Sequence, residues 1–245
     1  MKRVLAVWLL SSAAAAAAGR RGYRSNSGLL AALSMSGGSG GEGGSQTSSD
    51  PPSFVKLSEE LAYPGRYRQI KHIKYKYPHG REVDFDILTQ HGQGSVVVVA
   101  WDTKSNTATL IREFHPGVGR MQFGTIAGML EKDKHANNPQ ECARMELEEE
   151  AHLRSDRWIR LLDEGKAMSF EKYSDNHFHA YLVLDPEVVP NPKALDLEEY
   201  IIIERNVPYS KIMQLIRGCE INVMSSYALL LAFAKLDELG IQYRD

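Results

Sequence analysis

The segment from Glu141 to Leu153 reads ECARMELEEEAHL. On a helix, Glu146, Glu149 and Glu150 stand at i, i+3 and i+4 and share one face, while Glu148 points away. Like charges this close cost an isolated helix about 0.2–0.5 kcal/mol per pair. Two readings fit such a face. One is a solvated acidic surface. The other is a seat for a hard divalent cation, Mg²⁺ or Mn²⁺, which takes carboxylate and phosphate oxygens together and offsets the repulsion. Upstream, Phe123 to Glu131 (FGTIAGMLE) reads as a strand and a small-residue loop that lead into the acidic helix. A loop of this kind can turn a backbone carbonyl, here that of Ala127, toward the carboxylates.

Other side chains could also do chemistry, and each has a plainer alternative. Arg112 suits bidentate contact with a substrate phosphate, or an ion pair on a strand. Phe114 and Tyr173 could stack on a base, or pack beside a strand. His177 and His179 alternate on one strand face, but with no third ligand in view zinc is not expected. Cys142 and Cys219 lack a histidine partner and read as structural. Neither a P-loop nor a Rossmann glycine pattern is present.

These residues need elements to hold them. Gln69 to Tyr77 and Arg81 to Leu88 alternate apolar and polar around Pro78-His79-Gly80, which predicts a hairpin. Ser95 to Trp101 is a β-branched run buried on both faces, and Asp102 to Asn106 turns it into Thr107 to Phe114. Met121 to Ile126 reads as one short strand. Pro139 to Leu153 is helical, with Asn137 or Asn138 as N-cap and proline in the first turn. Strands follow at Trp158 to Leu162, His177 to Leu184 and Tyr200 to Glu204. Helices follow at Ser210 to Ile216, closed by Gly218, and at Val223 to Leu239, closed by Gly240. The pattern is mixed α/β: a twisted sheet covered by a few helices.

Strand, loop and glutamate helix in this order resemble the Nudix box of Nudix hydrolases. Glu146-Leu147-Glu148-Glu149-Glu150 matches the Glu-apolar-x-Glu-Glu core, and Leu153 the last apolar position. Ile126-Ala127-Gly128 looks like the Pro-Ala-Gly of the ADP-ribose and ADP-sugar pyrophosphatase branch. Leu110 to Phe114 resembles that branch's preceding strand. The likeness covers most of Lys71 to Leu236. It implies a Nudix fold, an α/β/α sandwich with a mixed twisted sheet, preceded by an N-terminal antiparallel hairpin. It also implies divalent-metal-dependent hydrolysis of ADP-ribose or a related ADP-sugar to AMP and a sugar phosphate. Glu146, Glu149, Glu150 and the Ala127 carbonyl become the metal ligands, with Glu149 also a catalytic candidate. Arg112 and Phe114 become the substrate-binding candidates. The branch takes its general base from a late loop, which here offers Glu198 and Glu199. It often pairs as a homodimer through its N-terminal strands, here Gln69 to Leu88.

The departures from the family pattern are specific. Met145 stands where the family has an arginine that holds a glutamate, and Arg144 beside it points about 100° away. His152 replaces the glycine that ends the helix. The loop after Gly128 is three residues too long, so Asn137 falls where the first glutamate belongs. Gly124 and Ile126 replace a glutamate and a proline. A domain that binds a nucleotide or a protein without turnover is therefore the alternative.

The whole chain has 245 residues, 29 basic against 31 acidic, for a net charge of −2. That gives no electrostatic case for nucleic-acid binding. Two cysteines exclude a disulfide framework. Five basic residues and no acid precede Glu42, so the remainder carries 24 basic and 31 acidic residues, a net of −7. Val4 to Ala18 is apolar apart from two serines and too short to span a bilayer. With the arginines that follow, residues 1–34 read as a targeting peptide, for an organelle (mitochondrion or plastid) ahead of the secretory pathway or cytosol. Residues 35–53 read as a Gly/Ser-rich linker, and residues 54–245 as the working domain.

Overall fold

The computed structural model describes residues 52–90, 94–192 and 200–245. Residues 1–34, read as a targeting peptide, most of the segment read as a linker, and Glu198 and Glu199 lie outside them. The first strands form an antiparallel three-stranded meander: β1 (Val55–Tyr63), β2 (Arg68–Lys76) and β3 (Glu82–Gln90). The hairpin read from sequence is β2–β3, and β1 is an addition to it. Val55, Leu57, Leu61 and Tyr63 stand at alternate positions of β1 with Glu59 interrupting the run, and register shifts fall between Lys56 and Ser58 and between Leu61 and Tyr63. Every residue of β1 is exposed, so this alternation marks no buried face.

The main sheet is built on β4 (Ser95–Asp102), the run of β-branched residues. β5 (Thr107–His115), β6 (Arg120–Gly124) and β7 (Ile126–Met129) follow it, then the short helix α1 (Lys132–His135) and the acidic helix α2 (Pro139–Ala151). Short strands β8 (Leu153–Arg154), β9 (Trp158–Arg160) and β10 (Met168–Ser169) lead to β11 (His177–Leu184). β12 (Glu187–Val188), β13 (Ile201–Pro208), α3 (Tyr209–Arg217) and α4 (Val223–Glu238) complete the chain. The strand order is β10-β11-β4-β5-β13, with β7 on β4, β6 on β5 and β9 on β11. β11 runs parallel to β4 and the other pairings are antiparallel, so the sheet is mixed.

Alternation on β4 divides the core. Val97, Val99 and Trp101 pack with Ile212 and Leu215 of α3 and Leu229 and Phe233 of α4. Val96, Val98 and Ala100 pack with Cys142, Ala143, Leu147 and Ala151 of α2. A strand buried on both faces needs apolar residues at every position, which is why its sequence does not alternate. The result is an α/β/α sandwich with α2 on one side and α3 and α4 on the other.

Two boundaries differ from expectation, and both shape the site. Met121 to Ile126 is not one strand. It breaks at Thr125, so β6 pairs with β5 while β7 pairs with β4. The Thr125 N–H at the break donates to Ser225 Oγ on α4 at 3.1 Å. Helix α2 stops at Ala151, because His152 takes the left-handed conformation (φ 53, ψ 41) and Leu153 enters β8. At the other end, Asn138 caps α2 by accepting from Gln140 N and Glu141 N at 3.1 and 3.3 Å.

Candidate functional site

β7 and α2 bring the site together. Ala127 lies opposite Val97 in the register of β7 on β4, and α2 packs directly over this edge. The Ala127 N–H donates to Glu150 Oε2 at 2.9 Å, and Glu150 is 4% exposed. A carboxylate buried to that degree needs such a donor. Gly128 next to it lets the helix approach: a Cβ there would lie 1.9 Å from Glu146 Oε1. The glycine is thus required by space, since any side chain would expel the Glu146 carboxylate from its seat.

Glu146 and Glu149 line an open cleft of about 580 Å³, together with Ala127, Gly128, Met129, Glu131, Lys134, His135 and Met145. Of the four ligand candidates, Ala127, Glu146 and Glu149 line the cleft. Glu150 sits beneath them, fixed to the β7 backbone. The negative field is visible at Cys142, one turn before Glu146. Burial, then Glu146, Glu131 and Glu149, push its thiol up to about 12. This donor set, carboxylates closing on a backbone edge, suits a hard divalent cation.

The remaining candidates lie elsewhere. Arg112 is paired with Glu204 across β5 and β13 at 3.1 Å and stacks over Phe123 at 5.3 Å. Phe114 is 54% exposed and lines a separate shallow hollow with His115 to Val118. The structure does not bring either to the carboxylates. Glu198 and Glu199 lie outside the described residues. His177 and His179 stand 6.0 Å apart, ring to ring. Burial, followed by His177 and Arg160, holds His179 below its ordinary range. Tyr173 packs 6.3 Å from Phe85 of β3.

Arg68, at the start of β2, belongs to no motif in the sequence, yet it lines the cleft with Phe170 and Met224. Its guanidinium donates to Gln90 Oε1 at 2.7 Å, and Gln90 Nε2 donates to Ser95 Oγ at 3.3 Å. Gln90 and Ser95 are each 8% exposed. A cation held by a buried relay at the mouth of an acidic cleft is placed to meet an anionic ligand. The only trace in the sequence is an arginine at a strand start, which marks nothing until Gln90 at the end of β3 links it to Ser95 of β4.

The altered box positions are also accounted for. The three-residue insertion is the α1 turn, followed by Ala136 (φ 47) and Asn137 (φ 62) in the left-handed region. Arg144 stacks over Trp158 at 5.0 Å and does not stand in for the missing box arginine. His152 performs the turn that glycine performs elsewhere, and its carbonyl accepts from Val189 N at 2.9 Å.

Comparison with known proteins agrees with this layout. No curated protein matched the chain by sequence. Among solved structures, one described as "Crystal structure of ADP compounds hydrolase" superposes with a TM-score of 0.61 at 17% identity, covering 79% of this chain and 98% of that one. At that identity the likeness speaks to the fold. A family profile described as the NUDIX domain matches residues 91–216, about half of the chain, from just before β4 to near the end of α3. With the glutamate core on its helix and the glycine that admits it, the chain belongs to the NUDIX family, whose members hydrolyse nucleoside diphosphates linked to another group.

Proposed function

We propose that this protein hydrolyses the diphosphate bond of ADP-ribose or a related ADP-sugar, releasing AMP and a sugar phosphate, with Mg²⁺ or Mn²⁺ as cofactor. The observation that carries the reading is the seating of Glu146 against Gly128 on the wall of the cleft, with Glu149 beside it and Glu150 locked beneath. The similar solved structure is that of a hydrolase of ADP compounds, which supports the nucleotide. A divalent cation, when bound, neutralises charge on the diphosphate and acidifies a water.

Glu146, Glu149, Glu150 and the Ala127 carbonyl are assigned to hold the cation. The Ala127 N–H fixes one Glu150 oxygen, so the carboxylate keeps its orientation without help from solvent. Arg68 meets the phosphates from the opposite wall. One of Glu149, Glu198 and Glu199 takes the proton of the attacking water as the bond to the leaving phosphate breaks. Because the barrier is mainly electrostatic, loss of one ligand carboxylate should cost about 10²-fold or more in rate.

The test measures AMP release from ADP-ribose during Mg²⁺ and Mn²⁺ titrations of wild type, Glu146→Gln and Glu150→Gln. Metal-dependent AMP in wild type and a loss of about 10²-fold or more in both variants are expected. Wild-type activity in Glu150→Gln would overturn the ligand assignment. A second reading, nucleotide binding without turnover, is favoured by Met145 in place of the box arginine; saturable binding with no AMP release selects it. Singly replacing Glu198 and Glu199 should slow one variant while leaving metal affinity unchanged.

Two further proposals concern the whole chain. The N-terminal sheet exposes Val55, Leu57, Leu61 and Tyr63 on β1, which supports a homodimer formed through these strands. Residues 1–34 act as an organelle address, which N-terminal sequencing of the mature protein would test.

A further inference from the structure

His135, Cys142 and Glu146 converge at the inner end of the cleft: a ring nitrogen, the thiol sulfur and a carboxylate oxygen lie within 4.8 Å of one another. Cys142 and Glu146 are one turn apart on α2, so their side chains project from the same face. His135 arrives from α1, the insertion that lengthens this loop. His135 is 4% exposed and Cys142 is fully buried, whereas His135 and Glu146 also border the cleft, which gives an ion a way in. We propose that these three residues form a second cation site, selective for a borderline-soft ion such as Zn²⁺, and that its occupancy removes Glu146 from the catalytic cation.

The ligand chemistry makes the selectivity. Nitrogen, sulfur and one oxygen, with a position left open toward the cleft, form a set that Zn²⁺ accepts at four-coordination. Mg²⁺ demands oxygen ligands in an octahedron and gains nothing from the thiol. Binding exchanges existing bonds. Cys142 Sγ donates to Met129 O at 3.4 Å, and His135 Nδ1 accepts from Glu131 N–H at 3.0 Å. The thiol proton leaves to solvent as the sulfur–metal bond forms, the neutral imidazole contributes its lone pair, and one proton is released per ion. Because the site shares Glu146, Zn²⁺ and the catalytic cation compete, so zinc acts as an inhibitor. That consequence rests on the proposed hydrolysis; the binding does not.

The test uses Co²⁺ as a spectroscopic stand-in for Zn²⁺, added to the metal-stripped full chain carrying Cys219→Ser, so that the exposed thiol takes no part. A thiolate-to-cobalt charge-transfer band is expected, displaced by equimolar Zn²⁺ and weakened by Mg²⁺ only in large excess, through the shared Glu146. Cys142→Ser and Cys142→Ala should each abolish the band, with circular dichroism confirming that the variants fold. His135→Ala should weaken cobalt binding by about tenfold or more. No band, or a band that survives loss of Cys142, overturns the site. Zn²⁺ should also suppress AMP release in a manner relieved by Mg²⁺. A protein that binds cobalt as described but releases no AMP would retire the hydrolase reading while leaving this one standing.

Discussion

At the residue scale, single atoms decide whether the carboxylates can meet a cation. Gly128→Ala introduces a methyl group where Glu146 Oε1 already sits. The glutamate has a flexible end, so the fold should survive while the site does not. Displacement by about 1 Å is expected to cost about 10²-fold in AMP release, with little change in melting temperature. A steady-state assay beside a thermal melt separates the two effects. His152 presents the opposite case. An L-residue in the left-handed region costs about 1–2 kcal/mol, and glycine's extra freedom when unfolded takes back about 0.5–1. His152→Gly should therefore stabilise the protein by about 0–1.5 kcal/mol, read as a urea midpoint that is raised or held; a lower midpoint contradicts the strain argument. The two thiols differ as well. Cys142 is buried, with its pKa pushed up to about 12 first by that burial and then by the surrounding glutamates, while Cys219 is exposed. A maleimide at neutral pH should label only Cys219 in the folded protein and both after denaturation.

At the scale of elements, the sequence was legible where pattern and burial agree. β4, β5 and β11 carry apolar runs at their expected places, and Pro139 marks the first turn of α2, while the choice of cap between Asn137 and Asn138 needed the structure. The glutamate triad was visible because helical spacing alone puts it on one face. β1 was not, since Glu59 and Glu60 interrupt its alternation and none of its residues is buried. The break at Thr125 was hidden for another reason: it depends on Ser225, one hundred residues away. Arg68 was missed because its role depends on Gln90 and Ser95 meeting it across two sheets. Long-range contacts of this kind leave no local trace. One such contact also sets a pH response. At the end of β11, burial raises the Asp185 carboxyl, but the Thr103 hydroxyl and amide, with Arg157, outweigh it and hold the group below its ordinary range. A carboxyl depressed in the folded state stabilises at pH above the unfolded value of about 3.9, and that contribution fades as pH falls through the folded value. Asp185→Asn, which tolerates the positive φ of 48 found there, should lower the urea midpoint at pH 7 and lose that deficit progressively below about pH 4.

At the scale of the molecule, charge and surface point to different partners. The chain after residue 41 is acidic, and its cleft is lined by Glu131, Glu146 and Glu149, a field that opposes a bare diphosphate and is the reason the proposed hydrolysis calls for bridging cations. No helix among the described residues is long and apolar enough to cross a membrane. The exposed apolar residues of β1 are the feature that asks for a protein neighbour. Leu57→Lys with Leu61→Lys should shift the protein to the monomer in sedimentation velocity while leaving its circular dichroism unchanged. A wild type that sediments as a monomer at micromolar concentration removes the dimer altogether.

The seam at Thr125 has a consequence for how the protein is made. Phe123 N donates to Glu220 O at 2.9 Å, and both the amide and hydroxyl of Thr125 reach the Ser225 Oγ at 3.1 Å. The stretch that presents Ala127 and Gly128 is therefore pinned from behind by the turn into α4. A ribosome delivers every glutamate of the acidic helix some seventy-five residues before it delivers that pin. Until Ser225 has emerged, the growing chain holds the carboxylates proposed as ligands beside a strand edge that lacks this pin, so any metal affinity should arrive late in synthesis and nearly all at once.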